Sequence, residues 1–371
     1  MRTHYGRALL ATGWLIVCAS LVGGGCRARQ EAAAPSGDAA TGATAPTAEA
    51  SRAFDQPRKA SGPIRLRIIT NGDSPFWEPM RRGMEEVRDE LQCEAIRQAP
   101  ARSEHIAQKA IFEAAIAAGV DGIAVSPIEA DAFASVIDQA IDAGIPVLTF
   151  DSDSARSQRL VYIGTNNYEA GRVAGKEAVR LLPNGGRMVA FVGTMSAQNA
   201  RDRYRGFLDA IQGHGIEMLQ APFEDDQDKA RAQRNVADAI TRYGDQIDGF
   251  LGLYSYNGPA IAAEVTRAGI RSRVKIVCFD GEPLTLSNLE RGLVDVAVVQ
   301  KPYQFGRLCT RLLYLINRRG LPAALEAMKP ELDALGMRVQ DGVIDTGVEV
   351  ITPANAGPFI QRLREKGLES T

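Results

Sequence analysis

Histidine and cysteine are scarce in this chain of 371 residues, although they are the side chains most often used for metal binding and acid–base chemistry. The three histidines are His4, His105 and His214, and no two of them have the spacing of a metal site. The glycine-rich pieces at 184–186 and 193–194 match neither the dinucleotide fingerprint nor a P-loop. We therefore predict no catalytic residues, no metal and no cofactor, and we expect this protein not to be an enzyme.

An excess of charge of either sign is also lacking, because the formal net charge is −2. Such a balance gives no bulk electrostatic attraction for nucleic acid. Hydrophobic residues make up 45% of the chain and charged residues 24%, which is ordinary for a globular protein. Because 371 residues are too many for one ordinary hydrophobic core, we expect two lobes.

An apolar run near the N-terminus, residues 8–22, follows Arg2 and Arg7 and precedes three glycines and Cys26. It is shorter than the roughly 20 apolar residues that a membrane-spanning helix needs. A basic start, a short apolar run and small residues predict a secretory signal peptide over 1–25. The cysteine after small residues resembles the lipobox of bacterial lipoproteins, which implies acylation of Cys26, although Gly23 stands where that pattern prefers leucine. A plain secreted protein cut nearby is the alternative.

Residues 26–62 are rich in Ala, Pro, Thr, Ser and Gly and show no apolar periodicity. Such a stretch buries too little apolar surface to offset its chain entropy, so we predict a flexible tether. Together with Cys26 it would hold a folded domain at the membrane by a lipid anchor alone. Of the remaining cysteines, Cys278 and Cys309 lie on apolar segments and are predicted to be buried free thiols.

From Ile64 onward, segments with strand periodicity alternate with segments with helical periodicity. The first helix is predicted from Trp77, Met80, Met84 and Val87, which recur at spacings of three and four residues. Repeated strand–helix units with short connections predict an α/β fold of doubly wound parallel sheets, covered by helices on both faces. The tail holds two short strand-like pieces and a helix, and periodicity alone does not fix their position.

Two of the predicted buried strands, 146–150 and 275–279, end in the same way, with an aspartate directly after an apolar run. Open α/β sheets bind ligands at the carboxyl ends of their strands, so Asp151 and Asp280 are predicted to face one cleft from two lobes. Carboxylate oxygens accept hydrogen bonds and suit a ligand rich in hydroxyl groups. Alternatively, each aspartate begins a turn or caps a helix.

Several motifs, taken in order, resemble those of the type I periplasmic binding proteins of the ribose and galactose group. They are Ser-Pro-Phe-Trp at 74–77, Val-Ser-Pro at 125–127, Pro-Val-Leu-Thr-Phe-Asp at 146–151, Gly-Thr-Asn-Asn at 164–167 with Gly171 and Gly175 after it, Ala-Arg-Asp-Arg at 200–203 with Gly206 and Phe207 after it, Cys-Phe-Asp-Gly at 278–281, and Val-Gln-Lys-Pro at 299–302. Each motif is weak alone, whereas their common order and spacing are specific. The resemblance covers residues 64–351.

This resemblance implies two doubly wound lobes joined by a three-strand hinge, with the ligand between them. On this basis the first lobe is predicted to hold 63–166 and 301–328, and the second lobe 167–300 and 329–371. Lactose-repressor-type regulators share this core but carry a DNA-binding headpiece. Here a signal peptide takes the place of the headpiece, so no nucleic acid is expected as a partner.

The same resemblance implies which residues contact the ligand. Phe76 and Trp77 would stack on the apolar faces of a sugar, although Trp77 could instead belong to the core. Asp151 is the expected acid of the first lobe. Arg201 is the expected arginine of the second lobe, unless it is a surface residue paired with Asp202. The predicted set is Ser74, Phe76, Trp77, Ser126, Asp151, Ser152, Arg201, Tyr256, Asn257, Phe279, Asp280 and Gln300.

Four positions depart from the pattern of the ribose binders. Ser74 and Ser126 stand where that group often has asparagine, and Ser152 stands where it often has arginine. Tyr256 lies where that group usually carries an asparagine or an acid, and it adds a further stacking surface. These changes predict a ligand other than ribose, a larger ligand, or more bridging water.

Two further contacts are left open by the sequence. Asn257 either contacts the ligand or only caps its helix. One residue of 223–228 is expected to contact the ligand, and the candidates are Asp226, Gln227 and Asp228. Specificity would follow from the placement of such polar groups, because each buried polar group must find a partner.

The resemblance implies an extracytoplasmic solute-binding protein that captures a pentose or hexose and delivers it to an ABC transporter. An ABC permease in the inner membrane is the implied partner, and the periplasm or cell envelope is the implied location. Binding would stabilise a hinge-closed state, since only that state lets both lobes touch the ligand. The alternatives are a sensor that presents bound sugar to a receptor kinase or chemoreceptor, and an NAD-linked enzyme, against which the missing glycine fingerprint counts.

Overall fold

Strands and helices alternate along the chain in the computed structural model, which describes residues 52–59, 61–337 and 339–368. The predicted signal peptide over 1–25 and Cys26 lie outside the described residues. The strands are β1 (Arg65–Ile69), β2 (Glu94–Gln98), β3 (Gly122–Val125), β4 (Val147–Phe150), β5 (Val161–Gly164), β6 (Gly186–Val192), β7 (Ile216–Met218), β8 (Phe223–Glu224), β9 (Gly249–Gly252), β10 (Lys275–Phe279), β11 (Val296–Val299), β12 (Val339–Gln340), β13 (Val343–Asp345) and β14 (Glu349–Ile351). The helices are α1 (Glu78–Leu91), α2 (His105–Ala117), α3 (Ala130–Asp142), α4 (Asn167–Leu181), α5 (Gln198–Ile211), α6 (Lys229–Tyr243), α7 (Asn257–Arg267), α8 (Pro283–Glu290), α9 (Pro302–Arg319), α10 (Leu321–Ala334) and α11 (Ala356–Glu365). None of these helices is both long and apolar enough to cross a membrane.

The strands form two seven-stranded sheets, and each sheet is the centre of one lobe. The first has the order β12-β13-β5-β4-β3-β1-β2, and the second has the order β14-β11-β10-β9-β6-β7 with β8 also paired to β6. The pairings are parallel except those of β12 with β13 and of β14 with β11. Central strands such as β4 and β11 are buried along their whole length, because helices cover both faces. The predicted doubly wound, two-lobed fold is therefore confirmed.

The central strands of the two sheets share one topology, so equivalent strands end beside the same kind of crevice in each lobe. The strand order reverses between β1 and β3 in the first sheet and between β6 and β9 in the second. Such a reversal opens a crevice outside the carboxyl ends of the strands, which is where α/β sheets bind ligands. The loops that follow β4 and β10 occupy matching positions beside these two crevices.

The chain passes between the lobes three times, as the resemblance implies. The crossings are 164–167 after β5, 299–302 after β11, and 345–349 after β13. The first and third are tied together, because Asn166 N donates to Asp345 Oδ1 at 2.9 Å and Thr346 N donates to Gly164 O at 2.8 Å. Two of the three crossing segments are therefore hydrogen-bonded to each other.

The tail differs from the prediction, which assigned all of 329–371 to the second lobe. Helix α10 continues to Ala334 beside α9 of the first lobe, and β13 joins the first sheet with Val343 opposite Tyr162. Strand β14 and helix α11 do belong to the second lobe, where they contact β11 and α8. Strands of two or three residues carry too little pattern to select one sheet edge over the other.

The last part of the predicted tether, which was expected to extend to residue 62, packs on the first lobe. Phe54 is fully buried in the core of that lobe, and its carbonyl oxygen accepts a 2.6 Å hydrogen bond from Leu321 N. The Lys59 ammonium pairs with Asp121 at 2.9 Å. One large apolar side chain thus anchors a stretch whose composition is otherwise typical of a linker.

The cysteines of the described residues are free thiols, as predicted for Cys278 and Cys309. Both are fully buried, and Cys93 is partly buried. Burial raises the pKa of the Cys278 and Cys309 thiols well above the ordinary value, so both stay protonated. They behave as small apolar side chains of the core.

Glycines let one helix pair in each lobe cross with its backbones in contact. In the first lobe, a Cβ at Gly306 of α9 would lie 2.0 Å from Met80 O of α1. In the second lobe, a Cβ at Gly206 of α5 would lie 2.0 Å from Tyr168 O of α4. Because the obstacle is backbone in both places, no side-chain movement could relieve the clash.

We expect Gly206→Ala to lower the free energy of unfolding by about 2 kcal/mol or more, because the added methyl group must push α5 away from α4. Chemical denaturation measures this change. The matched control is Gly357→Ala in α11, where the nearest atom to the new Cβ would be 3.7 Å away and alanine favours the helix. Equal stability of Gly206→Ala and the parent would contradict the tight crossing.

Candidate functional site

Asp151 and Asp280 are held in the left-handed backbone region, with φ of 61° and 69°. They directly follow β4 and β10, the equivalent strands of the two sheets. Residues other than glycine rarely adopt this conformation, and where they do they cluster at functional sites. Both side chains line one cavity and are almost fully buried, at 3% and 4% exposure. The structure therefore brings the two predicted acids together.

The cavity has a volume of about 660 Å³ and lies between the carboxyl edges of the two sheets. This volume is in the usual range for small-molecule sites. Trp77 is 2% exposed and also belongs to the core of the first lobe, so its two predicted roles are compatible. Seven of the predicted ligand contacts line the cavity, and they are Ser74, Phe76, Trp77, Asp151, Tyr256, Asp280 and Gln300.

The other five predicted contacts do not line the cavity, and they are Ser126, Ser152, Arg201, Asn257 and Phe279. Ser126 Oγ donates to Asp151 Oδ2 at 2.9 Å, so Ser126 orients that carboxylate from behind. Ser152 is fully buried, with no described partner for its hydroxyl. Arg201 is exposed, and its Nη1 donates to Ser196 O at 2.5 Å. Arg201 is thus a surface residue, as the alternative stated, but its described hydrogen bonds go to backbone oxygens and not to Asp202.

Arg203, two residues further along α5, stands in the wall where Arg201 was expected. It is 2% exposed and lines the cavity. Its Nε donates to Asn167 Oδ1 and its Nη1 to Leu253 O, both at 2.8 Å. The Phe279 ring lies 4.6 Å from the guanidinium carbon, close enough for a cation–π contact. Phe279 and two polar partners therefore fix the orientation of this one arginine.

The helical phase of α5 explains why Arg203 is inside and Arg201 is outside. Asn199, Arg203 and Phe207 follow one another at spacings of four and are all buried. At 100° per residue, two residues rotate the helix by about 200°, so Arg201 points to nearly the opposite side of α5 from Arg203. Both arginines belong to the same motif, and matching that motif to the buried face of the helix would have selected Arg203.

The stretch 223–228 contributes to the cavity through Asp225, Asp226, Gln227 and Asp228. Asp225, which the sequence did not single out, is the fully buried member. It accepts hydrogen bonds from Tyr256 Oη at 2.6 Å and from Asn257 Nδ2 at 3.0 Å. Burial raises the pKa of Asp225 to about 6, and these hydrogen bonds oppose the rise. Asn257 therefore positions Asp225 from behind the cavity wall.

Two tyrosines give the second lobe its aromatic surface. Tyr254, which sequence reasoning missed, lines the cavity beside Tyr256, and the two ring centroids are 6.1 Å apart with the rings edge to face. Gly193 makes room for them, since a Cβ there would lie 2.4 Å from the Tyr254 ring. Aromatic surface therefore comes from both lobes, because Phe76 and Trp77 supply it from the first lobe.

Gln300 lowers the pKa of the buried acids of both lobes, Asp151 and Asp280. Its Nε2 donates to Asp280 Oδ1 at 3.1 Å. Burial raises the pKa of Asp280 to about 6, while Arg203 and Gln300 oppose the rise and Asp151 adds to it. Burial also raises the pKa of Asp151, against the lowering effects of Arg203, Ser126 and Gln300. The two carboxyl groups therefore influence each other across the cavity.

Two contacts between the lobes show that this is a closed arrangement. Asn199 Nδ2 of the second lobe donates to Asp151 Oδ2 of the first lobe at 3.4 Å. Ser103 Oγ of the first lobe donates to Gln227 Oε1 of the second at 2.8 Å. All four residues line the cavity, so the two lobes contact each other at its wall.

The sequence matches, over residues 68–319, the family described as periplasmic binding protein domain. This chain belongs to that family. It is 26% identical over 321 residues to the xylose/arabinose-binding protein XylF of Sulfolobus acidocaldarius, which covers 81% of this chain and 73% of that protein.

Two solved structures are similar to this member of the family. One is an ABC transporter solute-binding protein from Burkholderia graminis in complex with D-arabinose, at 28% identity and a TM-score of 0.71, covering 80% of this chain and 98% of that one. The other belongs to the XylFII–LytSN complex, at 26% identity and a TM-score of 0.69, covering 79% of this chain and 99% of that one. The Sulfolobus acidocaldarius and Burkholderia graminis relatives are named as binding proteins.

We expect Asp280→Asn to raise the free energy of unfolding of the ligand-free protein at pH 7.5 by about 1–3 kcal/mol. The folded-state pKa near 6 lies above that of an unfolded aspartate, so folding at neutral pH must keep a buried carboxylate ionised. Asparagine avoids this cost and can still accept from Gln300 Nε2. Urea denaturation of parent and variant measures the difference.

The pH dependence provides the internal control for this stability difference. A raised folded-state pKa favours the folded parent at low pH, and this advantage is lost as the pH rises through about 6. The gain from Asp280→Asn should therefore shrink below pH 6 and vanish near pH 4. A variant less stable than the parent at pH 7.5 would show that the carboxylate is well compensated.

Proposed function

We propose that this protein is an extracytoplasmic binding protein that captures a pentose or hexose between its lobes and delivers it to an ABC transporter. The observation that carries the proposal is the shared cavity, in which each lobe contributes a buried acid and aromatic rings. A sugar presents apolar C–H faces and a rim of hydroxyl groups. The aromatic rings suit the faces, and carboxylates, amides and a guanidinium suit the rim.

Closure gives the proposed ligand its effect on the protein. A ligand shifts the equilibrium between open and closed states only by its difference in affinity for the two. Asp151 and Trp77 approach from the first lobe and Arg203 and Asp280 from the second, so a ligand reaches all of them only when the lobes are closed. Ligand binding would then create the surface that a membrane partner recognises.

The names of the relatives support the sugar and the transporter. XylF is named for xylose and arabinose, and the Burkholderia graminis protein is an ABC transporter solute-binding protein solved with D-arabinose. We extend both properties to this chain. We also propose that it binds its ligand without turning it over, with the carboxylates serving only as hydrogen-bond acceptors.

We expect the purified protein to gain thermal stability with at least one pentose or hexose, because the ligand binds the folded, closed state and not the unfolded chain. A panel of pentoses, hexoses and their polyols, read by thermal shift and then by calorimetry, tests this. Chromatography of the recovered ligand should show it unchanged. Absence of any shift across the panel would remove the sugar proposal.

The two arginines of α5 provide matched variants for the same experiment. Lysine at position 203 keeps a charge but loses the fork, so Arg203→Lys should weaken binding about tenfold or more. Arg201→Lys makes the same chemical change on the exposed face, and its affinity should stay within about twofold of the parent. A larger loss of affinity in Arg201→Lys than in Arg203→Lys would show that the ligand binds outside this cavity.

A second candidate function is ligand sensing, in which the closed form is presented to a receptor kinase or chemoreceptor. The XylFII–LytSN complex supports this candidate, because in that structure a chain 26% identical to this one forms a complex with a second protein. The two candidates use the same cavity and differ in the partner. Pull-down with the sugar-loaded protein, followed by identification of an ABC permease or of a receptor, separates them.

We further propose that the chain is a lipoprotein of the cell envelope, cleaved before Cys26 and anchored by acylation of its sulfur. In cells that process lipoproteins, Cys26→Ser should move the protein from the membrane fraction to the soluble fraction, because the anchored atom is lost. Cys93→Ser is the matched control and should leave the distribution unchanged. Membrane association that survives Cys26→Ser would contradict the anchor.

A further inference from the structure

The inner wall of the cavity carries an unbalanced charge. Three buried carboxyl groups line it, those of Asp151, Asp225 and Asp280, at 3%, 0% and 4% exposure. Arg203, at 2% exposure, is the one buried cation among the described lining residues. With all three carboxyl groups ionised, this wall has a formal charge of −2. Charges buried in this way are weakly screened and costly unless they are compensated.

The outer part of the cavity does not supply the missing positive charge. Its charged residues are exposed and of both signs. Several of them are already paired, as Asp73 is with Arg97 at 2.6 Å and Asp226 is with Arg231. Exposed pairs of this kind are solvated and act weakly on groups deeper in the cavity. The imbalance therefore belongs to the inner wall.

The protein supplies the three carboxylates with different numbers of hydrogen-bond donors. Asp225 accepts from Tyr256 Oη, Asn257 Nδ2 and Gln227 N, so neutral donors surround it. The Asp280 carboxylate accepts a single hydrogen bond from the described residues, from Gln300 Nε2 at 3.1 Å. The hydrogen bonds of Arg203 run to Asn167 and Leu253 instead of to a carboxylate. Asp280 is thus the acid that most needs a donor from outside the protein.

Two buried acceptors beside these carboxylates also have no partner in the protein. Asn199 Oδ1 and Gln300 Oε1 make no hydrogen bond with the described residues, and their side chains are only 4% and 3% exposed while lining the cavity. Leaving a buried acceptor unsatisfied costs stability, because the group has lost its hydrogen bonds to water. Arg203 Nη2 is an unpaired donor in the same wall, so the unpaired atoms comprise two acceptors and one donor. The carboxylates and the free amide oxygens together still provide acceptors for several N–H or O–H donors on one cationic group.

We propose that the preferred ligand is a cyclic polyol that carries a protonated amine, an amino sugar or an aminocyclitol, with its ammonium group held by Asp280, Asp151 and Gln300 Oε1. The inference rests on the proposed sugar-binding function and narrows its substrate class. An ammonium group supplies three donors and one positive charge, so it satisfies the acceptors and reduces the charge of the wall at once. A neutral sugar can satisfy the acceptors but leaves the charge as it was.

The proposal also sets the pH dependence of binding. Asp280 faces Arg203 from α5, Asp151 from the loop after β4, and Glu282 on its own loop, and its pKa is about 6. An ammonium group binds the ionised form, so protonation competes with it and affinity should fall as the pH drops below about 6. The affinity for a neutral sugar should depend less on pH over the same range.

Calorimetric titration with matched ligand pairs tests the inference. The probes are galactosamine against galactose, glucosamine against glucose, mannosamine against mannose, and an amino-deoxy-inositol against its parent inositol. At pH 7.5 we expect at least one amine to bind about tenfold or more tightly than its neutral partner. Its N-acetyl derivative, which keeps the substituent without the charge, should lose that advantage.

A pair of charge-removing variants locates the ammonium group. Asp280→Asn should reduce the ratio of amine affinity to neutral affinity by about tenfold, because it removes the charge and keeps the shape. Asp202→Asn is the matched control, since Asp202 lies on α5 outside the cavity, and the ratio should not change. If the ratio survives Asp280→Asn, the proposed position of the ammonium group is wrong.

The outcomes for the two proposals are separable. Binding of neutral sugars with no tighter amine overturns this inference and leaves the sugar-binding function intact. Binding by neither class overturns both. An amine preference that follows the stated pH dependence and depends on Asp280 supports both.

Discussion

The geometry and the charge balance of this cavity depend on the contacts of one buried group, the guanidinium of Arg203. It lies over the Phe279 ring, bonds to Leu253 O in the second lobe, and bonds to Asn167 where the chain crosses between lobes. It also lowers the pKa of Asp151 and Asp280 against the opposing effect of burial. Without this cation, burial would raise the pKa of both acids further.

The same arginine connects the cavity to the hinge. Asn167 accepts from Arg203 through Oδ1, and its Nδ2 donates to Tyr162 Oη at 3.2 Å and to Thr165 O at 3.1 Å. Tyr162 Oη in turn donates to the carbonyl oxygen of Asp151 at 2.9 Å. One chain of hydrogen bonds therefore runs from the second-lobe wall through the first crossing to the first-lobe acid. Such a network can transmit the closed geometry of the cavity to the hinge as a unit.

The sequence predicted the fold, and seven of its twelve predicted contacts line the cavity, while the errors have physical causes. Asp151 and Asp280 were found because each follows a buried strand, where position alone fixes the edge of the sheet, whereas Gln300 came from the family resemblance. Arg201 was chosen over Arg203 because motif matching ignored the helical phase. Asp225 was missed because a two-residue strand gives almost no pattern from which to count. Phe54 was read as part of a linker because composition averages over the single side chain that anchors it.

The sequence by itself determined the alternation of strands and helices, the two lobes, and the two acids at equivalent strand ends, since these follow from local periodicity and chain order. Only the tertiary structure decided which residues share the cavity, because that depends on helix rotation and on contacts across the cleft. It also decided that β13 joins the first sheet and β14 the second. Short strands and single side chains take their places from long-range packing, and no local pattern encodes that energy.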